Sequence, residues 1–175
     1  FSGFVPLNVL GVSGSVNAVN VGTFHTNRGT RVYRLGGVRL AMRYYRKLDG
    51  RIAVSQAAHR FVSRHFPGQY EIIPNGIEVD DFATAEPFPH LQDGMINLLF
   101  FGRLEKRKGL KYMLGAYSRL KWDWPNLRLL VVGPGKPDQD SYRIMSERNL
   151  QDVVFVGAVS DEDKARYYKT AEIYC

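Results

Sequence analysis

Three runs that are apolar but for Asn97 and Arg128, each closed by a glycine, constrain this chain more than any other feature. They are Ile96-Asn97-Leu98-Leu99-Phe100-Phe101 before Gly102, Leu127-Arg128-Leu129-Leu130-Val131-Val132 before Gly133, and Val153-Val154-Phe155-Val156 before Gly157. A strand with one wet face alternates apolar and polar residues. Strands that are apolar throughout belong to parallel sheets covered on both faces. The intervening segments suit helices: near 109–121, near 139–149, and from Asp161 to Thr170. Ile173-Tyr174-Cys175 opens one more strand. In open α/β sheets ligands bind beyond the carboxyl ends of the strands, where glycine lets them approach the backbone. Gly102, Gly133 and Gly157 are therefore candidate binding positions.

The first half follows the same alternation. Residues 4–16 are apolar with little charge and read as a helix or a loop feeding a buried sheet. Asn20-Val21-Gly22-Thr23-Phe24 reads as a strand with His25 at its exit. Residues 31–48 have helical spacing, weakened or kinked at Gly36-Gly37. Arg51-Ile52-Ala53-Val54 is the next strand. Ser55 caps a helix to about His65, Pro67-Gly68 stops it, and Tyr70-Glu71-Ile72-Ile73 resumes as strand. Pro74-Asn75-Gly76 is a turn. Residues 78–94 carry acids, prolines and few periodic apolar residues, which places a domain boundary within 74–94.

The formal net charge of +7 is unevenly spread. Residues 1–75 hold ten Lys and Arg against two acids, and residues 76–175 hold fourteen against fifteen. Arg28, Arg31, Arg34, Arg39, Arg43, Arg46 and Lys47 follow one another with no acid among them, interleaved with Tyr33, Tyr44 and Tyr45. Such a run is either a solvated helix face or a surface that meets anionic lipid, each cation near a charged bilayer adding about 1 kcal/mol. RNA would suit the charge, but no nucleic-acid module motif is present. No apolar stretch approaches the ~20 residues of a membrane span. The chain opens on Phe1 without a targeting pattern and closes in an apolar run, so both ends are expected to be cuts within a longer protein. A single cysteine excludes an internal disulfide and argues against a thiolate metal site.

Two loops and one histidine carry candidate chemistry. Gly102-Arg103-Leu104-Glu105-Lys106-Arg107-Lys108-Gly109 sets four cations between a buried strand and a helix start. Helix N-termini offer free N–H groups and partial positive charge to phosphate, and Arg and Lys add charge-assisted bonds. The bland alternative is a solvated basic loop. Val132-Gly133-Pro134-Gly135-Lys136 is neither of the known nucleotide loops. Pro137 stands where a Walker A loop needs Ser or Thr, and Asp138 where the dinucleotide fingerprint needs glycine. It reads as a tight turn lining a cleft. His25 is either a satisfied structural residue or a hydrogen-bond donor to a sugar or leaving group.

Taken in series, six motifs resemble glycosyltransferase family 4. They are Gly22-Thr23-Phe24-His25-Thr26, Gly50-Arg51-Ile52-Ala53-Val54-Ser55, Ile73-Pro74-Asn75-Gly76-Ile77-Glu78, Phe101-Gly102-Arg103 with Arg107-Lys108-Gly109, Val131-Val132-Gly133-Pro134-Gly135 and Phe155-Val156-Gly157. Within the family the chain most resembles the bacterial phosphatidylinositol mannosyltransferases. The resemblance implies a GT-B architecture of two Rossmann-like domains, each incomplete here. Residues 1–75 would be the later part of the acceptor-side domain, 76–94 a connection, and 95–175 the first half of the nucleotide-sugar domain.

It further implies transfer of a hexose, with mannose the leading candidate, from GDP-mannose or a UDP-sugar to a lipid or glycan acceptor. The anomeric configuration would be retained by front-face attack, without a metal. Arg103 and Lys108 would bind the donor diphosphate and stabilise charge on it as the glycosidic bond breaks. His25 would orient the donor sugar. Val159, Asp161 and Lys164 would lie near the base, leaning toward guanine, with Gly157 allowing close approach. The basic run 28–47 would face an anionic membrane, giving a cytoplasmic protein peripheral on the inner face. The family's Glu-x7-Glu motif and its early glycine-rich loop have no counterpart in the chain, so this chain on its own is expected to be inactive. The alternative is a non-catalytic nucleotide- or membrane-binding module.

Overall fold

The computed structural model describes residues 18–25 and 37–175. The apolar segment 4–16 and the basic residues Arg28, Arg31 and Arg34 lie outside the described residues. The chain divides into two compact units, Phe1–Ile77 and Glu78–Cys175.

In the first unit, β1 (Val21–Phe24), β2 (Gly50–Ala53) and β3 (Glu71–Ile72) form a parallel sheet in the order β1-β2-β3. Between them run α1 (Gly37–Tyr45) and α2 (Gln56–Ser63). The helix expected over 31–48 is described from Gly37 onward. Ser55 caps α2, its side-chain oxygen accepting from Ala58 N–H at 3.1 Å. Tyr45, Leu48, Val62 and Phe66 form the core, with Phe24 and Tyr70 packed against it. Leu48 covers Gly22 so closely that a Cβ there would meet its Cδ1 at 2.7 Å. The Tyr45 hydroxyl donates to the carbonyls of Phe66 and Pro67, tying the end of α2 to α1.

The second unit is a four-stranded parallel sheet in the order β6-β5-β4-β7. Its strands are β4 (Ile96–Phe101), β5 (Leu127–Val132), β6 (Val153–Gly157) and β7 (Ile173–Tyr174). All six residues of β5 are buried, which is why its run shows no alternation. Successive side chains still point to opposite faces. Leu98, Phe100, Leu127, Leu129 and Val131 meet α4 (Leu110–Asp123) through Leu110, Leu114 and Tyr117. Ile144 and Met145 of α5 (Gln139–Glu147) close that side. Leu99, Leu130 and Val132 face the other way, against Tyr167 and Tyr168 of α6 (Asp161–Thr170).

The segment expected to be a bare connection folds onto this second unit. It carries α3 (Val79–Ala83) and a 3-10 turn (Pro89–Leu91). Leu91 is in the core with Leu99, Phe82 meets Tyr168 edge to face at 5.6 Å, and Phe88 meets Tyr167 at 4.6 Å. Three anchors at irregular spacing hold it, and such spacing leaves no periodic signal. At the amino ends of the strands, Arg128 and Asn97 sit opposite each other in register. Arg128 donates to Asn97 Oδ1 at 3.3 Å and is ion-paired to Asp93.

Candidate functional site

Parallel strands bring the ends of β4, β5 and β6 to one edge, where all three glycines adopt positive φ: 151° at Gly102, 138° at Gly133 and 87° at Gly157. At Gly133 the requirement is steric as well, because a Cβ would stand 2.1 Å from the Gly102 carbonyl oxygen. The loops are laced across this edge by backbone hydrogen bonds. Gly102 N–H donates to Val132, Leu104 N–H to Pro134, and Gly133 N–H to Gly157, at 2.9, 2.9 and 2.7 Å. Where β5 pairs β6 the register slips, Val131 facing Phe155 and Val132 facing Gly157, so Val156 is a bulge that bends the strand at the site. Beside it opens a hollow of about 350 Å3. Gly133, Gly135 and Gly157 supply peptide edges, and Leu104, Pro137, Tyr142 and Phe155 supply apolar walls. Peptide edges with flat apolar walls suit a planar polar heterocycle.

The basic loop lies at the same edge. Lys106–Lys108 form a 3-10 turn, Gly109 follows in the left-handed region at φ 81°, and α4 begins at Leu110. No side chain caps α4, whereas Asp138 and Ser160 cap α5 and α6. An uncapped start leaves first-turn N–H groups and the positive helix end open to an anion. Lys108 folds back over the end of β4, and a Cβ built at Gly102 would meet its Cε at 3.7 Å and its Nζ at 3.8 Å. Arg103 is exposed, with Nη1 3.7 Å from Glu105 Oε1, and Glu105 Oε2 accepts from Arg107 Nε at 2.8 Å.

The structure thus gathers Gly102, Arg103, Lys108, Gly133 and Gly157 at one sheet edge. The remaining candidates lie apart. Val159 packs into the core cluster with Leu91, Leu99 and Val132. Asp161 accepts from Lys164 Nζ at 2.7 Å, and that ammonium holds its carboxyl below the usual carboxylate range. Asp161 also lines a larger depression, about 530 Å3, shared with Asp81, Glu86, Glu162 and Arg166. With four carboxylates to one cation it would repel phosphate, so the smaller hollow is the better anion-side site. His25 belongs to the first unit, exposed at the carboxyl end of β1. Among the described residues no three His, Cys, Asp or Glu side chains converge as metal ligands, and no helix is long and apolar enough to cross a membrane. The turn through Gly135, read from the sequence as lining a cleft, does line the hollow, whereas sequence reading gave no site role to Leu104, Pro137, Tyr142 or Phe155. Tyr142 had one available signal, its place in the first turn after the Asp138 cap.

Residues 83–175, more than half of the chain, match the family model described as glycosyl transferases group 1. The chain belongs to the group 1 glycosyl transferases. It is 35% identical over 158 residues to the phosphatidyl-myo-inositol mannosyltransferase of Mycobacterium tuberculosis, which covers 89% of this chain and 41% of that protein. It therefore spans about two fifths of that curated relative. Solved structures of low sequence identity share its fold. The structure of WaaG, a glycosyltransferase involved in lipopolysaccharide biosynthesis, matches 95% of this chain and 55% of its own at TM-score 0.64 and 17% identity. The E. coli trehalose-6-phosphate structure bound with UDP-2-fluoro glucose matches 97% of this chain and 55% of its own at TM-score 0.69 and 11% identity. The fold is GT-B type, with parallel Rossmann-like sheets in both units.

Proposed function

We propose that this chain carries the donor-binding edge of a transferase that moves a hexose, mannose first among candidates, from a nucleoside-diphosphate sugar to a lipid or glycan acceptor with retained configuration. One observation carries the reading: Lys108 lies over Gly102 at the uncapped start of α4, beside a hollow edged by Gly133 and Gly157. The diphosphate would lie at the helix start between Lys108 and Arg103, with its base in the hollow against Tyr142 and Phe155. As the sugar–phosphate bond breaks, negative charge grows on the departing diphosphate, and fixed cations stabilise that charge more than the ground state. Protein cations would here do the work that a metal does elsewhere. This placement of the base leaves Asp161 and Lys164, paired with each other at the start of α6, outside the hollow. The lipid side of the reading draws on the name of the mycobacterial relative and on the basic run 28–47, of which Arg43 and Arg46 are exposed. Anionic lipid at the inner membrane face is the expected surface.

Calorimetric titration of the chain with GDP and with UDP tests this reading. Binding of either, weakened about tenfold or more in Lys108→Ala and abolished by competing pyrophosphate, is the expected result. Binding that Lys108→Ala and Arg103→Ala leave unchanged removes the basic loop from the site.

A further inference from the structure

Glu105 is the only acid between Gly102 and Gly109, set among Arg103, Lys106, Arg107 and Lys108. Its two carboxylate oxygens are divided between two guanidinium groups: Oε2 accepts from Arg107 Nε at 2.8 Å, and Oε1 lies 3.7 Å from Arg103 Nη1. The side chain has no evident structural task. Glu105 precedes the Lys106–Lys108 turn without capping it, and the turn closes through the backbone, Lys108 N–H donating to the Glu105 carbonyl at 2.8 Å. All three side chains are exposed, at 73% for Arg103, 43% for Glu105 and 71% for Arg107. Ion pairs that exposed are weak and separate readily. A carboxylate also offers guanidinium the same pair of oxygens that a phosphate does.

We propose that Glu105 is a resident counter-anion that competes with the donor diphosphate for Arg103 and Arg107. It holds the two arginines at the loop before donor arrives, yields them to the diphosphate, and takes them back as the nucleoside diphosphate departs. This rests on the donor-site reading above and adds a positioning residue that acts by occupying the arginines. The sign of its effect separates it from a strut. If Glu105 braced the arginines for phosphate, removing its charge would weaken binding. If it competes, removing its charge strengthens binding.

The experiment titrates inorganic pyrophosphate into the full 175-residue chain and into Glu105→Gln and Glu105→Asp, at low and at high salt. Glutamine keeps the length and still accepts from Arg107, so only the charge is lost. Glu105→Gln is expected to bind pyrophosphate about two- to fivefold tighter, the range set by one exposed ion pair. The gain should shrink at high salt, with the melting temperature unchanged and Glu105→Asp near wild type. Equal or weaker binding by Glu105→Gln, with measurable binding by wild type, overturns the competing role and leaves the donor site standing. No binding by any of the three overturns both.

Discussion

At the scale of single residues, Lys108 and Arg103 are placed for unequal work. Lys108 has its stem laid over Gly102 and its ammonium at the end of β4, while Arg103 projects into solvent and shares Glu105 with Arg107. Lys108 therefore needs little reorganisation to meet a phosphate, and Arg103 must leave a partner. In the transferase proposed above, Lys108→Ala and Arg103→Ala are each expected to lower turnover at least tenfold, against ~1.4 kcal/mol of barrier per factor of ten. Lys108→Arg should not restore it, because a planar fork cannot lie along the same path as a flexible stem. Steady-state rates with saturating donor check this, and wild-type turnover in Lys108→Ala would remove its role. The place of both cations at the end of β4 was legible in the sequence, because four of them crowd between two glycines after that strand. The apolar wall was not legible. Leu104, the Pro137–Tyr142 stretch and Phe155 come from three separate segments and meet only once the strands are parallel and adjacent.

At the scale of elements, the glycines closing β4 and β5 hold two loops together. Gly133→Ala would push a methyl group to 2.1 Å from the Gly102 carbonyl oxygen while φ stands at 138°. The loops must part, and backbone strain of this kind costs about 1–3 kcal/mol. Gly115 is the internal control. It lies inside α4 with nothing within 4 Å of a built Cβ, so Gly115→Ala should stabilise by about 0.5–1 kcal/mol. Thermal unfolding should therefore move in opposite directions for two identical substitutions. A Gly133→Ala protein with wild-type melting temperature would show that the lacing of the loops is dispensable. The strands were legible because runs that are apolar but for Asn97 and Arg128 leave a buried parallel strand as the simplest reading, and β5 is buried at every position. The fold of 78–94 was not. Its contacts depend on Phe82, Phe88 and Leu91 finding α6 and the sheet face, and those surfaces do not exist until the sheet has formed.

At the scale of the whole molecule, the two ends of the second sheet do different jobs. The carboxyl ends carry glycines at positive φ and four cations that share one acid, while the amino ends carry a closed polar network. Asn97, 1% exposed, receives Arg128 at Oδ1 and donates through Nδ2 to the Leu91 carbonyl at 3.0 Å, and its backbone N–H donates to Glu172 Oε2 at 2.6 Å. Arg128 completes the network by pairing with Asp93. One cluster thus ties the segment before β4, the strands β4 and β5, and the entry to β7. A buried guanidinium left without its carboxylate is strongly unfavourable. The hydrogen bond from Arg128, first among the causes, holds the Asp93 carboxyl below the usual carboxylate range in the folded chain.

The sign of the pH effect follows from that direction. Asp93 binds a proton less readily when folded, so its contribution is fully present above the unfolded value, about 3.9. It is lost as pH falls through the lower folded value. Urea unfolding of wild type should show stability declining below about pH 4, and Asp93→Asn should flatten that acid limb while being less stable than wild type at neutral pH, where Arg128 has lost its partner. An acid limb of equal slope in both proteins would show that other carboxylates govern acid unfolding and that the Asp93–Arg128 pair only accompanies the fold. The expected difference would instead place the sheet's pH sensitivity at the end away from the glycine edge, so that donor binding could be measured in mild acid on an intact fold.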